Sequence, residues 1–231
     1  MKQLHPVQMK ILRELLFSPS LKFSEIKPLK MEGSQFVFHL DKLINVGYLE
    51  KVDSIYTLTP RGREYANKMD EKTKLVIPQA KVSAVQCAVK KEGKKKYYLI
   101  YTRLKHPFYG CQGFPTEKVA WGESLHEASQ RGLEEETGLR GKAQLFAIRH
   151  YRVYLPSQEL VEDKIMYAHK IEDPQGVLRA NLEGEFDWIR EEDLKKKVIN
   201  PLEEFWEFFQ ALKENQDIVS FKEIDVITDR F

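Results

Sequence analysis

Cysteine is almost missing from this chain. Cys87 and Cys111 are its two thiols; they form no metal-ligand spacing, and their scarcity fits a reducing cytoplasm. Each reads as a small buried apolar residue. No basic-then-apolar leader opens the sequence and no run of eighteen apolar residues interrupts it, so neither a signal peptide nor a membrane span is expected. An excess of one charge is lacking too: the formal net charge is +2, too small to argue for nucleic acid by itself. Internal repeats and extended low-complexity stretches are absent. What is present is ordinary: 42% apolar, 31% charged and 11% aromatic residues over 231 positions. Such a composition supports packed cores, in one large domain or two small ones.

The first seventy residues differ from the rest. Residues 8–17 carry helical apolar spacing, and Ser24 is placed to cap a short helix over 25–29. Gly33 or Ser34 opens a third helix with Phe36, Leu40, Leu43 and Ile44 on one face, and Gly47 closes it. Residues 48–52 and 55–58 read as two strands around Asp53-Ser54, and Thr59-Pro60 starts a last helix, with proline at a favoured early position. Residues 38–49 and 56–62 resemble the winged helix-turn-helix domains of transcription regulators. That resemblance implies a third helix entering the major groove and a wing touching the backbone. It assigns DNA contacts to Ser34, Gln35, His39 and Lys42, to Lys51 in the wing, and to Arg61 and Arg63 beyond it. Residues 1–70 hold eleven Lys or Arg against eight Asp or Glu, a weak electrostatic footprint; protein contact or dimerisation is the competing use. His39 taken alone reads as a packing or solvent-facing residue.

Residues 71–80, with Pro78, read as a linker. Beyond it comes an α/β pattern: strands over 82–89 and 97–104 around a lysine-rich turn at 90–96, then strands over 143–154, 164–170 and 186–189. Residues 201–212 are aromatic and amphipathic, with Leu202, Phe205, Trp206, Phe209 and Leu212 on one face. Core packing is the first reading of that face and a homodimer contact the second. Residues 216–231 read as a C-terminal extension, apolar and strand-like over 218–227.

The most informative stretch is 121–139. Ser124 and Glu127 make a capping box, and Gly138 stands where a left-handed helix-ending residue is wanted. Glu134, Glu135 and Glu136 crowd the last turn, where the helix dipole disfavours anions; a divalent cation would offset them. In sequence, Glu123, Arg131, Leu133, Glu135, Glu136, Gly138 and Leu139 resemble the Nudix box: Gly, five residues, Glu, seven residues, Arg-Glu-apolar-any-Glu-Glu-any-Gly-apolar. Two positions depart from it. The opening glycine is Glu117, and the glutamate after the arginine is Gly132.

The resemblance implies a mixed-sheet α/β/α sandwich over 81–215, so that the whole chain is α/β (α+β), with the winged helix first. It also implies hydrolysis of a nucleoside-diphosphate-type substrate with Mg2+ or Mn2+. Glu135 and Glu136 would be metal ligands, braced by Glu123 and Arg131, with Lys118 placed to reach phosphate. Gly132 removes a third helix carboxylate, and Glu134 cannot replace it because it lies about 200° around the helix. Gly132 also costs roughly 1 kcal/mol of helix propensity relative to alanine. Weakened turnover, or a metal held differently, is therefore expected. Glu162, Asp163 and Glu185 are the carboxylates to watch as replacements, though exposure is the plainer reading of each. The alternative function is a regulator whose impaired Nudix domain senses a nucleotide. Regulators that pair these modules place the winged helix after the Nudix domain, the opposite order.

Overall fold

The structure, a computed structural model, describes residues 4–28, 30–70, 76–214 and 218–231. The chain divides between Pro78 and Gln79 into two compact units. Among the described residues no helix is long and apolar enough to cross a membrane.

In the first unit α1 (Pro6–Leu16) starts at His5, whose ring accepts the Val7 N–H while Gln8 accepts the His5 N–H. β1 (Leu21–Lys22), α2 (Phe23–Ile26) and α3 (Gly33–Asn45) follow, then a hairpin of β2 (Leu49–Val52) and β3 (Ile55–Leu58), then α4 (Pro60–Asn67). The second helix begins before the expected cap. Lys22 is its N-cap, with the Glu25 carboxylate accepting the Lys22 N–H at 2.6 Å, so Ser24 lies inside the helix; Leu29 lies outside the described residues. Phe36, Leu40 and Leu43 of α3 pack against Ile11, Leu12, Leu15, Tyr56 and Leu58. Asp53 and Ser54 both have positive φ, 47° and 71°, the backbone a two-residue hairpin turn requires. Gly62 of α4 is tightly placed: a side chain there would overlap the Tyr48 carbonyl. The strand order β1-β3-β2 and the helix order are compatible with a winged helix-turn-helix.

The second unit is a mixed sheet between helices. β4 (Lys81–Glu92), β5 (Lys95–Arg103), β6 (Gln112–Gly113) and β7 (Thr116–Lys118) precede α5 (Leu125–Thr137). β8 (Leu139–Arg140), β9 (Ala143–Tyr154), β10 (Leu160–Glu172), β11 (Gln175–Gly176) and β12 (Gly184–Arg190) come next, then α6 (Leu194–Lys197), α7 (Phe205–Lys213) and β13 (Ser220–Ile227). The sheet runs β12-β5-β4-β10-β9-β13, with β6 on β5 and β7 on β4. β4–β10 and β9–β13 are parallel, and the other pairs are antiparallel.

Period-two alternation along β4 divides its residues between two cores. Val85, Cys87 and Val89 pack with Phe205 and Phe208 of α7, while Ala88 packs with Leu133 of α5 and Leu99. Cys87 and Cys111 are free and buried, and burial pushes both thiols up. Three expectations need correction. The lysine-rich turn shrinks to Gly93-Lys94, because β4 runs through Glu92 and β5 starts at Lys95. The aromatic helix starts at Phe205 instead of Pro201, and Phe208, outside the expected face, is as deeply buried as Phe205. Residues 220–227 are no extension: they form β13, a sheet strand paired in register with Ala147–Tyr154 of β9.

Candidate active site

The acidic helix is fixed at both ends by its own sequence. The Ser124 hydroxyl accepts the Glu127 N–H, and the Glu127 carboxylate accepts the Ser124 N–H at 2.9 Å. Gly138 ends α5 at φ +75°, donating its N–H to the Glu134 carbonyl at 2.8 Å. Ala128, Ser129, Gly132, Leu133 and Thr137 form the buried face. Arg131, Glu135 and Glu136 lie on the rim of that face.

Arg131 organises the site. Its Nε donates to Glu123 Oε1 at 2.7 Å and its Nη2 to Glu123 Oε2 at 2.9 Å, a two-point grip. Nη2 also donates to the Lys118 carbonyl at 3.0 Å, and Nη1 to Glu135 Oε2 at 3.0 Å. One guanidinium thus ties strand β7, the loop after it and the last turns of α5. Arg131 and the Ala120 N–H hold the Glu123 carboxyl down at about 2, and the carboxylates raise the arginine in return.

Glu136 faces elsewhere. Asn181 donates to its carboxylate and to its backbone carbonyl, while the Asn181 Oδ1 accepts the N–H groups of Glu183 and Gly184 at 2.8 and 3.0 Å. Glu136 lines a narrow cleft of about 20 Å³ with Tyr101, Arg103, Lys105, Thr116, Glu183 and Phe186. Tyr101 stacks on Phe186 with centroids 5.2 Å apart. Arg103 is aimed by the carbonyls of Pro107 and His106, at 2.5 and 3.3 Å. Burial and the neighbouring Arg103 lower the Lys105 ammonium, although Glu136 opposes them. The cleft is smaller than a usual small-molecule pocket, so a nucleotide-sized ligand would extend beyond it. It sets two cations, Arg103 and Lys105, beside two carboxylates, Glu136 and Glu183, with Lys105 paired to Glu183; the cations can meet the oxygens of a polyphosphate.

Arg131 joins Glu135, its neighbour one helical turn on, and Glu123, the brace that the resemblance implies, with Glu136 one residue on, on the cleft side. The Lys118 side chain is exposed and its charge acts on Lys105 of the cleft, while its backbone N–H and carbonyl engage Glu117 and Arg131. Glu134 points away and pairs with Arg140. Of the carboxylates considered as replacements, Glu162 is not exposed; it pairs with Lys81 and Lys164 at 3.3 Å. Asp163 is held by His150 at 2.7 Å; Glu185 is exposed on β12. Arg103, Lys105 and Asn181 escaped the sequence reading, since each reaches the cleft from a strand end or loop through sheet pairing. Among the described residues no three His, Cys, Asp or Glu side chains converge as a ready-made metal centre.

In the first unit Ser34, Gln35 and Lys42 are exposed on α3 and Lys51 on β2. Lys42 lies over Phe38 and Lys51 over Tyr56, each at 5.5 Å. His39 stacks on His5 at 4.5 Å, and burial, then His5, lowers its pKa. Arg61 donates to the Val46 carbonyl at 3.1 Å and lies over Tyr48, which closes the end of α3.

Fold and site together define an α/β/α sandwich bearing a helix of carboxylates braced by one arginine. A sequence model of the NUDIX domain matches residues 80–209, more than half of the chain, and the chain belongs to this family. Among solved structures it is similar to the NUDIX domain of Shewanella oneidensis NrtR, determined in complex with ADP ribose. The identity is 15%, the match covers 68% of this chain and 98% of that one, and the TM-score is 0.52. A MutT protein from Bacillus halodurans gives 18% identity, 65% and 93% coverage and a TM-score of 0.52. At these identities the likeness is one of fold. No curated protein matches.

Proposed function

We propose that the second unit hydrolyses a diphosphate linkage in a nucleoside-diphosphate-type substrate, with Mg2+ or Mn2+ as cofactor. The observation that carries this reading is the Glu123–Arg131–Glu135 brace on the helix whose Glu136 lines a cleft with Arg103 and Lys105. The donor set fits the ion: Glu135 and Glu136 offer hard carboxylate oxygens, the kind Mg2+ takes beside water and phosphate. Glu135 is 60% exposed in its side chain, so it can turn from Arg131 without unpacking the core. A bound ion would neutralise phosphate charge and lower the pKa of water.

The chain's own residues do the rest. Arg131 orients Glu135 and keeps Glu123 ionised, Asn181 fixes Glu136, and Arg103 and Lys105 supply positive charge where phosphate oxygens would sit. Tyr101 and Phe186 offer an apolar wall. Because Glu136 is the α5 carboxylate that faces the cleft, Glu136→Gln is expected to lower kcat/KM by at least about 100-fold, or ~2.7 kcal/mol, with Tm near the parent's. The assay is hydrolysis of ADP ribose, dinucleotides and nucleoside triphosphates with Mg2+ or Mn2+. No turnover by the parent on any of these would overturn the reading.

A second reading keeps the ligand and gives up efficient turnover: a nucleotide-sensing regulator whose first unit binds DNA. It is favoured by the helix and strand order of residues 6–67 and by Ser34, Gln35, Lys42 and Lys51 standing exposed there. Binding of duplex DNA measured with and without ADP ribose separates the two.

A further inference from the structure

A second cavity lies at the other end of the strands that build the cleft. Phe186 and Arg103 stand where β12 begins and β5 ends. Lys95, Lys96 and Arg190 stand at the opposite ends of the same two strands, where Arg190 pairs with Tyr97. From Lys96 to Arg103 the strand covers about 23 Å at the usual rise per residue, so the two places are separate. The β4–β5 turn, the segment from Arg190 to Lys195 and α7 wall this cavity, which holds about 750 Å³. That volume falls within the roughly 300–1,000 Å³ of small-molecule sites.

The lining is strongly cationic. Six Lys or Arg stand beside two Glu, on a chain whose whole formal net charge is +2. Both carboxylates are already matched. Glu192 pairs with Arg190 at 2.5 Å, and Glu191 pairs with Lys213 at 2.7 Å while accepting from the Tyr98 hydroxyl at 3.3 Å. Lys213, then Lys96 and Tyr98, hold the Glu191 carboxyl below the usual carboxylate range against its burial. A surplus remains: among the described residues the ammonium groups of Lys94, Lys95, Lys96 and Lys195 enter no hydrogen bond or ion pair. Four like charges around a concavity raise its potential and draw a polyanion, and lysine meets phosphate as a point charge.

The rest of the wall is aromatic. Trp206 and Phe209 of α7 are half-buried and meet at 5.8 Å with their planes at 83°, and Phe205 braces Trp206 at 4.8 Å. An inorganic anion gains nothing from such a wall. A nucleobase does, because every base has a flat face to lay against an aromatic side chain. We propose that this cavity binds a nucleoside polyphosphate, its phosphates among Lys94, Lys95, Lys96 and Lys195 and its base against Trp206, as a site apart from the cleft. Such binding requires no turnover at the cleft.

The test is calorimetric titration of the full chain with ATP and with inorganic tripolyphosphate, both in EDTA to remove metal-dependent binding at the cleft. ATP is expected to bind at least about tenfold more tightly than tripolyphosphate, which has the charge without the rings. The side chains of Lys94, Lys96 and Lys195 are exposed, so changing all three to glutamine is expected to leave Tm near the parent's. The same change is expected to weaken ATP binding at least about tenfold, or ~1.4 kcal/mol. Arg103→Gln in the cleft is expected to hold ATP affinity within about threefold of the parent's. A parent that binds no ATP, or a lysine variant that binds it unchanged, overturns the site and returns the lysines to a solvated turn. A larger loss in Arg103→Gln than in the lysine variant overturns it by placing the nucleotide in the cleft. Tripolyphosphate bound as tightly as ATP overturns the role of the aromatic wall and with it the nucleoside. A single-stranded oligonucleotide that binds more tightly than ATP through the same lysines overturns it in favour of nucleic acid.

Discussion

Glu123 shows how one residue can serve stability and the site at once. Its carboxylate accepts two hydrogen bonds from Arg131 and one from Ala120, and these hold its pKa at about 2, against roughly 4.3 in an unfolded chain. A carboxylate depressed on folding contributes stability that is fully present above the unfolded value and lost as pH falls through the folded one. The difference in Tm between the parent and Glu123→Gln is therefore expected to be constant above about pH 5 and to close between about pH 4.5 and 2. A thermal-melt series across pH checks it; a constant difference down to pH 2 would contradict it. The Arg131–Glu135 pair was legible from helical spacing, and the Glu123 brace from the Nudix resemblance. Glu117 against Gly132, where a Cβ would overlap the Cβ of Glu117, was not. That contact depends on β7 pairing with β4, and pairing partners leave no mark in local spacing.

At the scale of elements, α5 could be read from sequence because its start and stop are chemical: a capping box at Ser124 and Glu127 and a left-handed glycine at 138. β13 could be recognised as strand-like but not placed, since its partner β9 lies far back in the chain. Its placement matters for stability. Arg149 is 1% exposed, and its guanidinium is satisfied by the Ser220 carbonyl at 2.8 Å, the Ser220 hydroxyl at 3.1 Å and Glu207 at 3.0 Å. Removing residues 218–231 would strip two of those acceptors from a buried charge, open the edge of β9 and break the Arg152–Asp225 pair. Glu207 would remain paired with Arg149, but each lost hydrogen bond to a charged group costs about 1.5–3 kcal/mol, and an unpaired edge invites association. The truncated chain is expected to unfold at a clearly lower denaturant concentration and to aggregate. Parent-like unfolding would show that β13 is dispensable to the sheet.

At the scale of the whole chain the two units carry separate cores, one built on Phe36, Leu40 and Leu43 and one around β4. A fragment of residues 79–231 retains every residue assigned to the cleft and brace, so it is expected to keep kcat/KM within about threefold of the full chain, a difference below ~1 kcal/mol. DNA binding, in contrast, should need residues 1–78 and be shallow in salt. Arg61 is committed to Val46 and Tyr48, and of the cations assigned to DNA this leaves Lys42, Lys51 and Arg63 exposed. With about three phosphate contacts, log K should fall against log salt with a slope near −3. The decisive comparison adds ADP ribose to that titration. Coupling between two sites is a free energy that each ligand exerts on the other, so a regulator requires DNA affinity to move by at least about fivefold, or ~1 kcal/mol. Unchanged affinity beside Mn2+-dependent turnover would leave hydrolysis as the work of the second unit and remove signalling from the first.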